Sequence, residues 1–426
     1  MDFRTLPDAP ALRLTNLTAP ACLTGAAGDL VRTNLTIAGG HIVADRPDAV
    51  TVDMGGAMVF PAFVDMHTHL DKGHIWPRTP NPDGTFMGAL NAVMGDAPGR
   101  WIADDLAQRM DFALRCAWAH GTAAIRTHLD SAAPQDAVTW PLFAEIRAAW
   151  AGRIALQAVS LSGCDMIDSD GPFAALADRV VAHQGVLGLF TYPMPDMPER
   201  LRTFFAVAAA RGLDTDFHAD ETMDPTVNTL AQIAQAALDT GFQGRIVAGH
   251  TCSLSTMPES EALATLDLIA RAGIDIVSLP MCNLYLQDRH AGRTPRHRGV
   301  TLVHEMKARG IAVSFASDNT RDPFYAYGDL DMIEVMREAT RICHLDHAEP
   351  GWPAAFLTSP AATCGFAAPS LVPGAPADLV ICKARGWSEL FARPQSDRIV
   401  LRSGVQIDRT LPDYAELDPL MSKGAP

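Results

Sequence analysis

The stretch "PAFVDMHTHLDKGH", residues 61–74, sets three histidines and two aspartates at the end of an apolar run. The whole chain has 14 histidines, and His67, His69 and His74 fall within eight positions. One reading is chance clustering in a polar loop. The other is a metal site, because alternate side chains of a strand point the same way and His-x-His at a strand end aims two imidazoles at one point. The remaining ligands must then come from elsewhere in the chain.

The elements that would supply them can be read from residue 58 onward, where short apolar runs alternate with amphipathic helical stretches. The strand candidates are 58–67, 123–130, 154–161, 185–193, 214–220, 245–251, 275–281 and 312–318. Between them lie segments such as "PTVNTLAQIAQAALDTG", with apolar residues three and four apart and a plausible C-cap at Gly241. Eight strands with intervening helices is the count of an α/β fold of the (β/α)₈ TIM-like barrel type. A doubly wound open sheet is the alternative, but no G-x-G-x-x-G follows the first strand. Residues 1–57 and 367–426 read as short strands and turns. The expected organisation is therefore a 58–366 catalytic barrel with one small β domain formed by both chain ends. The 74–100 stretch is long for a βα loop and rich in Gly and Pro, as lids and binding loops are.

Barrel chemistry sits at the C-terminal ends of the strands. Those ends carry His67 and His69, His128 and Asp130, His218 and Glu221, His250, and Asp318. Any one could be an ordinary packed polar residue; packing does not readily explain the set. Three histidines and an aspartate make an N₃O ligand set suited to one Zn²⁺ or Fe²⁺. Such an ion lowers the pKa of a bound water toward neutrality. Glu221, three residues past His218 in "HADE", is placed to carry a proton to the substrate; its alternative role is a carboxylate at a helix N-terminus.

Composition narrows the partners. Hydrophobic residues are 48% and charged residues 19%, as in a packed globular protein, and the formal net charge is −15. That charge disfavours nucleic acid and anionic membranes as partners. No run of about 18 apolar residues suggests a membrane span, and the start of the chain shows no signal-peptide pattern. The eight cysteines are scattered without a C-x-x-C pair, which reads as reduced thiols in the cytoplasm. Oligomeric state is open, and a homo-oligomer is compatible with everything above.

The motifs "HTHLD", "RTHLD", "DFHADE", "AGHT", "CNLYLQDR" and "FASDNTRDPFY" occur in the order seen in the amidohydrolase superfamily, and the chain resembles its cytosine deaminase-like branch. The resemblance runs from "VFPAFVDMHTHLDK" to "GAPADLVI". It implies that His67, His69, His218 and Asp318 bind one metal and that Glu221 shuttles a proton to a ring nitrogen. It further implies that His250 orients or deprotonates the water, with Asp318 as general base. The "LGLFTYP" stretch offers no clear lysine for the carbamylated bridge of binuclear relatives, which favours a mononuclear site.

Two positions depart from cytosine deaminases. Where those enzymes carry a glutamine after the third strand, this chain has Ser162 and Gly163; where they carry an acidic residue after the metal aspartate, it has Asn319. An amide donates as well as accepts, so the ring edge it reads differs. "HTHLDK" and "SDN-x-RD" look more like relatives acting on amino-substituted triazines, whereas "HADE" stays with nucleobase deaminases. The implied activity is hydrolytic deamination of a nitrogen heterocycle of amino-pyrimidine, isoguanine or pterin type, with cytosine a poor substrate and ammonia released. The space near Ser162 suits a larger ring such as isoguanine or a pterin, stacked by Phe324, Tyr325 or Trp76. Gln157, Asn283 or Gln287 is an alternative source of the lost amide. Two further functions stay open: hydrolysis of another C–N bond, in an N-alkylamino triazine or a cyclic amide, and a catalytically inactive binding protein on the same barrel.

Overall fold

The computed structural model describes residue 3, residues 5–347 and residues 351–422. The outermost residues of the expected terminal segments, 1–2 and 423–426, lie outside the described residues. The chain divides into two compact units.

One unit comprises residues up to 65, 115–124 and 330–412. It holds an eight-stranded sheet whose strands come from both parts of the chain. Its order is Val405–Gln406, Ile399–Arg402, Leu379–Cys382, Met58–Pro61, Ala11–Pro20, Leu30–Ala38 and His41–Val43, with Val50–Asp53 paired to Ala11–Pro20. The long antiparallel hairpin shifts register between Leu14 and Leu17, where Asn16 takes a positive φ of 56°. Leu14, Leu17, Leu379, Val380, Ile399 and Val400 are buried along the sheet. The Arg398 guanidinium donates to both oxygens of Asp331 at 2.6 and 2.5 Å. That fork-to-carboxylate geometry holds the Asp331 carboxyl well below the usual carboxylate range against the opposing effect of burial.

The expected single strand 58–67 is two strands. Met58–Pro61 joins the terminal sheet and Phe63–Thr68 begins the α/β series. Pro61 has no N–H to continue a ladder, and Ala62 is the joint.

The other unit comprises 66–114, 125–329 and the chain from 413 on. Its strand series runs Phe63–Thr68, Thr122–Asp130, Ala155–Leu161, Leu187–Phe190, Thr215–Ala219, Ile246–His250, Ile274–Ser278 and Val313–Phe315, with helices interleaved. The first three form one sheet. The last five form a second, and its neighbours are parallel throughout. Single parallel bridges join the series where the ladders stop: Val159 with Val186, Gly163 with Phe190, and Thr68 with Asp318. The architecture is thus α/β with parallel strands, and the ladders are not one continuous sheet. The Thr229–Thr240 helix starts where Asn228 accepts a hydrogen bond from the Ala231 N–H and ends at Gly241, whose φ of 62° suits a residue without Cβ.

The 74–100 stretch is not an open loop. It contains a helix, Phe86–Asp96, started by Thr85, whose hydroxyl accepts from the Gly88 N–H at 3.0 Å. Among the described residues, no helix is long and apolar enough to cross a membrane.

Candidate metal centre and active site

Strand ends deliver the site. His67 and His218 stand one residue before the ends of the first and fifth strands, His250 ends the sixth, and Asp318 follows the eighth. The Asp318 N–H donates to the His67 carbonyl at 2.9 Å, which fixes the first and eighth strand ends side by side. Asp318 and His250 take positive φ values of 65° and 69°. The chain bends sharply there, as it does where a side chain must be aimed off a strand end.

The imidazoles converge. His218 Nε2 lies 3.1 Å from His67 Nε2 and 3.2 Å from His69 Nε2. Asp318 Oδ1 lies 3.3 Å from His69 Nε2 and 3.6 Å from His67 Nε2. All four residues are buried. Burial first, and neighbouring cationic groups second, push the pKa values of His67, His69 and His218 well below the ordinary histidine value, so the rings are neutral. An imidazole nitrogen carries either one proton or one lone pair, so His218 Nε2 makes at most one well-directed hydrogen bond to the two histidine nitrogens beside it, and the other contact is left unsatisfied. A cation resolves this. A tetrahedral ion with ligands at roughly 2.0–2.1 Å separates its ligand atoms by about 3.3–3.4 Å, close to the four spacings found here. The residues therefore fit a divalent ion.

His128 belongs to the same cluster. Its ring centroid is 4.0 Å from that of His67, and its ligand-type nitrogen falls with those of His67, His69 and His218 within 4.8 Å. Its Nε2 lies 3.3 Å from Asp216 Oδ1, while Asp216 Oδ2 accepts from Arg126 at 2.8 Å.

Beside the cluster, Glu221 Oε1 lies 3.4 Å from His250 Nδ1 and accepts from Asn283 Nδ2 at 3.4 Å. Burial, then the nearby Asp318 charge, raises the Glu221 pKa well above the usual carboxylate range. Burial pushes the His250 imidazole down to about 3, with His128 adding to the effect. Asn283 Nδ2 also donates to His250 Nδ1 at 3.0 Å. The neutral ring therefore carries its proton on Nε2.

These groups open onto a cavity of about 1040 Å³ lined by His69, His218, Glu221 and His250 at its polar end. Ser162, Asn319 and Phe324 line it too. Trp76 is not among the lining residues; its N–H donates to the Arg321 carbonyl at 2.8 Å. The apolar wall comes instead from Phe86, Leu90 and Val93 of the Phe86–Asp96 helix, with Trp101 and Phe190. Asn283 and Gln287 are not among the lining residues: Asn283 holds Glu221 and His250, and Gln287 donates to the Glu221 carbonyl at 3.2 Å. Gln157 Oε1 accepts from Arg126 Nε at 2.7 Å. Asn319 Nδ2 donates to Asp322 Oδ2 at 2.7 Å, anchoring its amide. Asn283, Asp216 and Lys72 were not singled out for these positions by the sequence, although "CNLYLQDR", "DFHADE" and "HTHLDK" contain them.

The Amidohydrolase family model matches residues 167–407. A pterin deaminase of Rhizobium rhizogenes is 52% identical over 98% of this chain and 99% of its own length. In fold, the chain is similar to 5-methylcytosine deaminase from Klebsiella pneumoniae, with a TM-score of 0.78, 23% identity, and coverage of 93% of this chain and 98% of that one. It is also similar to N-isopropylammelide isopropylaminohydrolase from Burkholderia multivorans, with a TM-score of 0.71, 25% identity and the same coverage. The family model spans more than half the chain and the pterin deaminase aligns with nearly all of it, so this protein belongs to the amidohydrolase family.

Proposed function

We propose that this chain is a metal-dependent hydrolytic deaminase of an amino-substituted nitrogen heterocycle, with a pterin as its substrate class. The observation that carries the reading is the convergence of His67, His69, His218 and Asp318 beside a proton-holding Glu221 at the polar end of one cavity. The similarity to a pterin deaminase over nearly the full chain supports the ring system. These four residues would hold one Zn²⁺ or Fe²⁺ per chain. The ion supplies Lewis acidity and lowers the pKa of a water toward neutrality.

The chain's own groups do the rest. Glu221 delivers a proton to a ring nitrogen next to the amidine carbon as water adds there, and ammonia leaves. His250, held by Asn283 with its Nε2 proton outward, donates to the oxygen that gains charge at that carbon. Asp318 doubles as the general base. Phe324 and Phe86 offer faces for the ring. The same reading takes residues 58–366 as a closed (β/α)₈ barrel and 1–57 with 367–426 as a small β domain. The parallel bridges where the ladders stop and the sheet drawn from both ends of the chain support it. Cytoplasmic residence is in keeping with cysteines of which all but Cys22 are buried.

The test is a comparison of kcat/KM for pterin, isoguanine, cytosine and N-isopropylammelide on metal-loaded protein, with the released amine identified. Pterin should rank first with one ammonia per turnover. Isopropylamine as the main product, or cytosine ranking first, would overturn the reading.

A further inference from the structure

Lys72 is the one lysine or arginine among the residues that line the cavity. It is 6% exposed and borders the cavity together with Asp130, Asn319 and Phe324. Its Nζ lies 2.7 Å from Asp130 Oδ1 and 5.6 Å from the centre of the Phe324 ring. Asp130 is itself tied down, its N–H donating to Asp71 Oδ2 at 2.7 Å. Burial opposes the Lys72 charge, and the Asp130 and Asp71 carboxylates outweigh it.

An ammonium has three N–H donors and no acceptor, and Asp130 occupies one. The cavity therefore meets a donor-only group. Such a group favours an acceptor on the ligand and penalises an amino group, whose N–H would face N–H with neither satisfied. The two side-chain amides that line the cavity, Gln135 and Asn319, each have their nitrogen already donating to protein acceptors. Gln157 is turned to Arg126, and Asn319 has its Nδ2 on Asp322 and its oxygen toward Cys282 Sγ at 3.6 Å.

We propose that Lys72, anchored by Asp130, is a specificity-determining residue that donates to a ring carbonyl oxygen of the substrate. The site then takes amino heterocycles bearing an oxo group and rejects analogues with a second amino group in its place. The inference rests on the deaminase reading above, and on a pterin the oxygen is the one at C4.

The test compares pterin with 2,4-diaminopteridine, which replaces that oxygen by an amino group. Both turnover and equilibrium binding, the latter by ligand fluorescence, are measured on wild type, Lys72→Met and Lys72→Arg with metal content checked. A hydrogen bond to a charged group is worth roughly a factor of 10–100. Wild type should therefore prefer pterin by at least that factor. Lys72→Met should lose about 10–100-fold on pterin and change by less than about threefold on the diamino compound, so the preference collapses. Lys72→Arg, which keeps a cationic donor, should retain the preference even where its overall rate falls. A proportional loss on both ligands in Lys72→Met would overturn the proposal and leave Lys72 a packing and ion-pair residue. So would a wild type that does not discriminate between them. If wild type released ammonia from neither ligand, the deaminase reading would fail, and the binding ratio would still decide the role of Lys72.

Discussion

Replacing Glu221 by glutamine separates proton transfer from metal binding. The side chain keeps its shape, and its amide oxygen can still accept from Asn283 Nδ2, now 3.4 Å from Glu221 Oε1. The ligand-type atoms of His67, His69, His218 and Asp318 meet one another without it. What is lost is the proton. Burial and the Asp318 charge raise the Glu221 pKa and favour the protonated carboxyl; a glutamine cannot hand a proton over. General acid–base transfer contributes typically 10²–10⁴-fold, or about 3–5 kcal/mol of barrier at roughly 1.4 kcal/mol per decade. Loss of the interaction in the transition state alone should lower kcat with KM changed little. The assay is ammonia release under saturating pterin, paired with elemental analysis of the same sample. A Glu221→Gln enzyme with full metal and kcat within about threefold of wild type would refute the argument. So would loss of the metal, because the carboxylate would then be a ligand.

Other outcomes are equally definite. His218→Ala should abolish both activity and stoichiometric divalent metal, read by elemental analysis, since His218 Nε2 is common to the two shortest imidazole contacts. His250→Asn should lose about 10²-fold or more in kcat with metal retained; metal lost along with activity would make His250 a ligand. His74 is buried against Phe112, and burial pushes its pKa down to about 3 from an ordinary value of 6.5. Below pH 6.5 the unfolded chain binds a proton there that the folded chain does not, so folding weakens as pH falls toward 3. Between pH 7 and pH 5 this amounts to about 2 kcal/mol. Thermal melts of His74→Leu should fall less over that interval than those of wild type, and equal slopes would exclude the effect.

What the sequence reveals of this site follows from periodicity. His67 and His69 can be paired in advance because a strand alternates sides, and the structure brings both to the same His218 nitrogen. Strand ends can be counted because apolar runs of four to eight residues recur between helical stretches. Long-range partners cannot. The direction of Gln157 depended on Arg126, 31 residues away, and on the Asp216 carboxylate that fixes Arg126. His128 can be read from the sequence as a strand-end polar residue, but its approach to His67, with ring centroids 4.0 Å apart, is a tertiary contact. Trp76 was an aromatic in the right segment, but only tertiary packing could show that the wall of the cavity is the Phe86–Asp96 helix. The break at Pro61 was visible as a residue and missed as a boundary, because an unbroken apolar run hides which sheet each half joins.

The positive φ values at Asp318 and His250 set activity against heat resistance. A residue with a Cβ in that conformation gives up on the order of 1 kcal/mol that glycine would not. Laboratory evolution that scores only survival at high temperature would be drawn to glycine at both positions. Each step would look like an improvement in a melting curve while dismantling the chemistry. Engineering a hardier form of this chain therefore requires freezing residues 250 and 318 and scoring every round on ammonia released. The gains have to be sought in the terminal sheet and the outer helices, where no side chain is being aimed at a substrate.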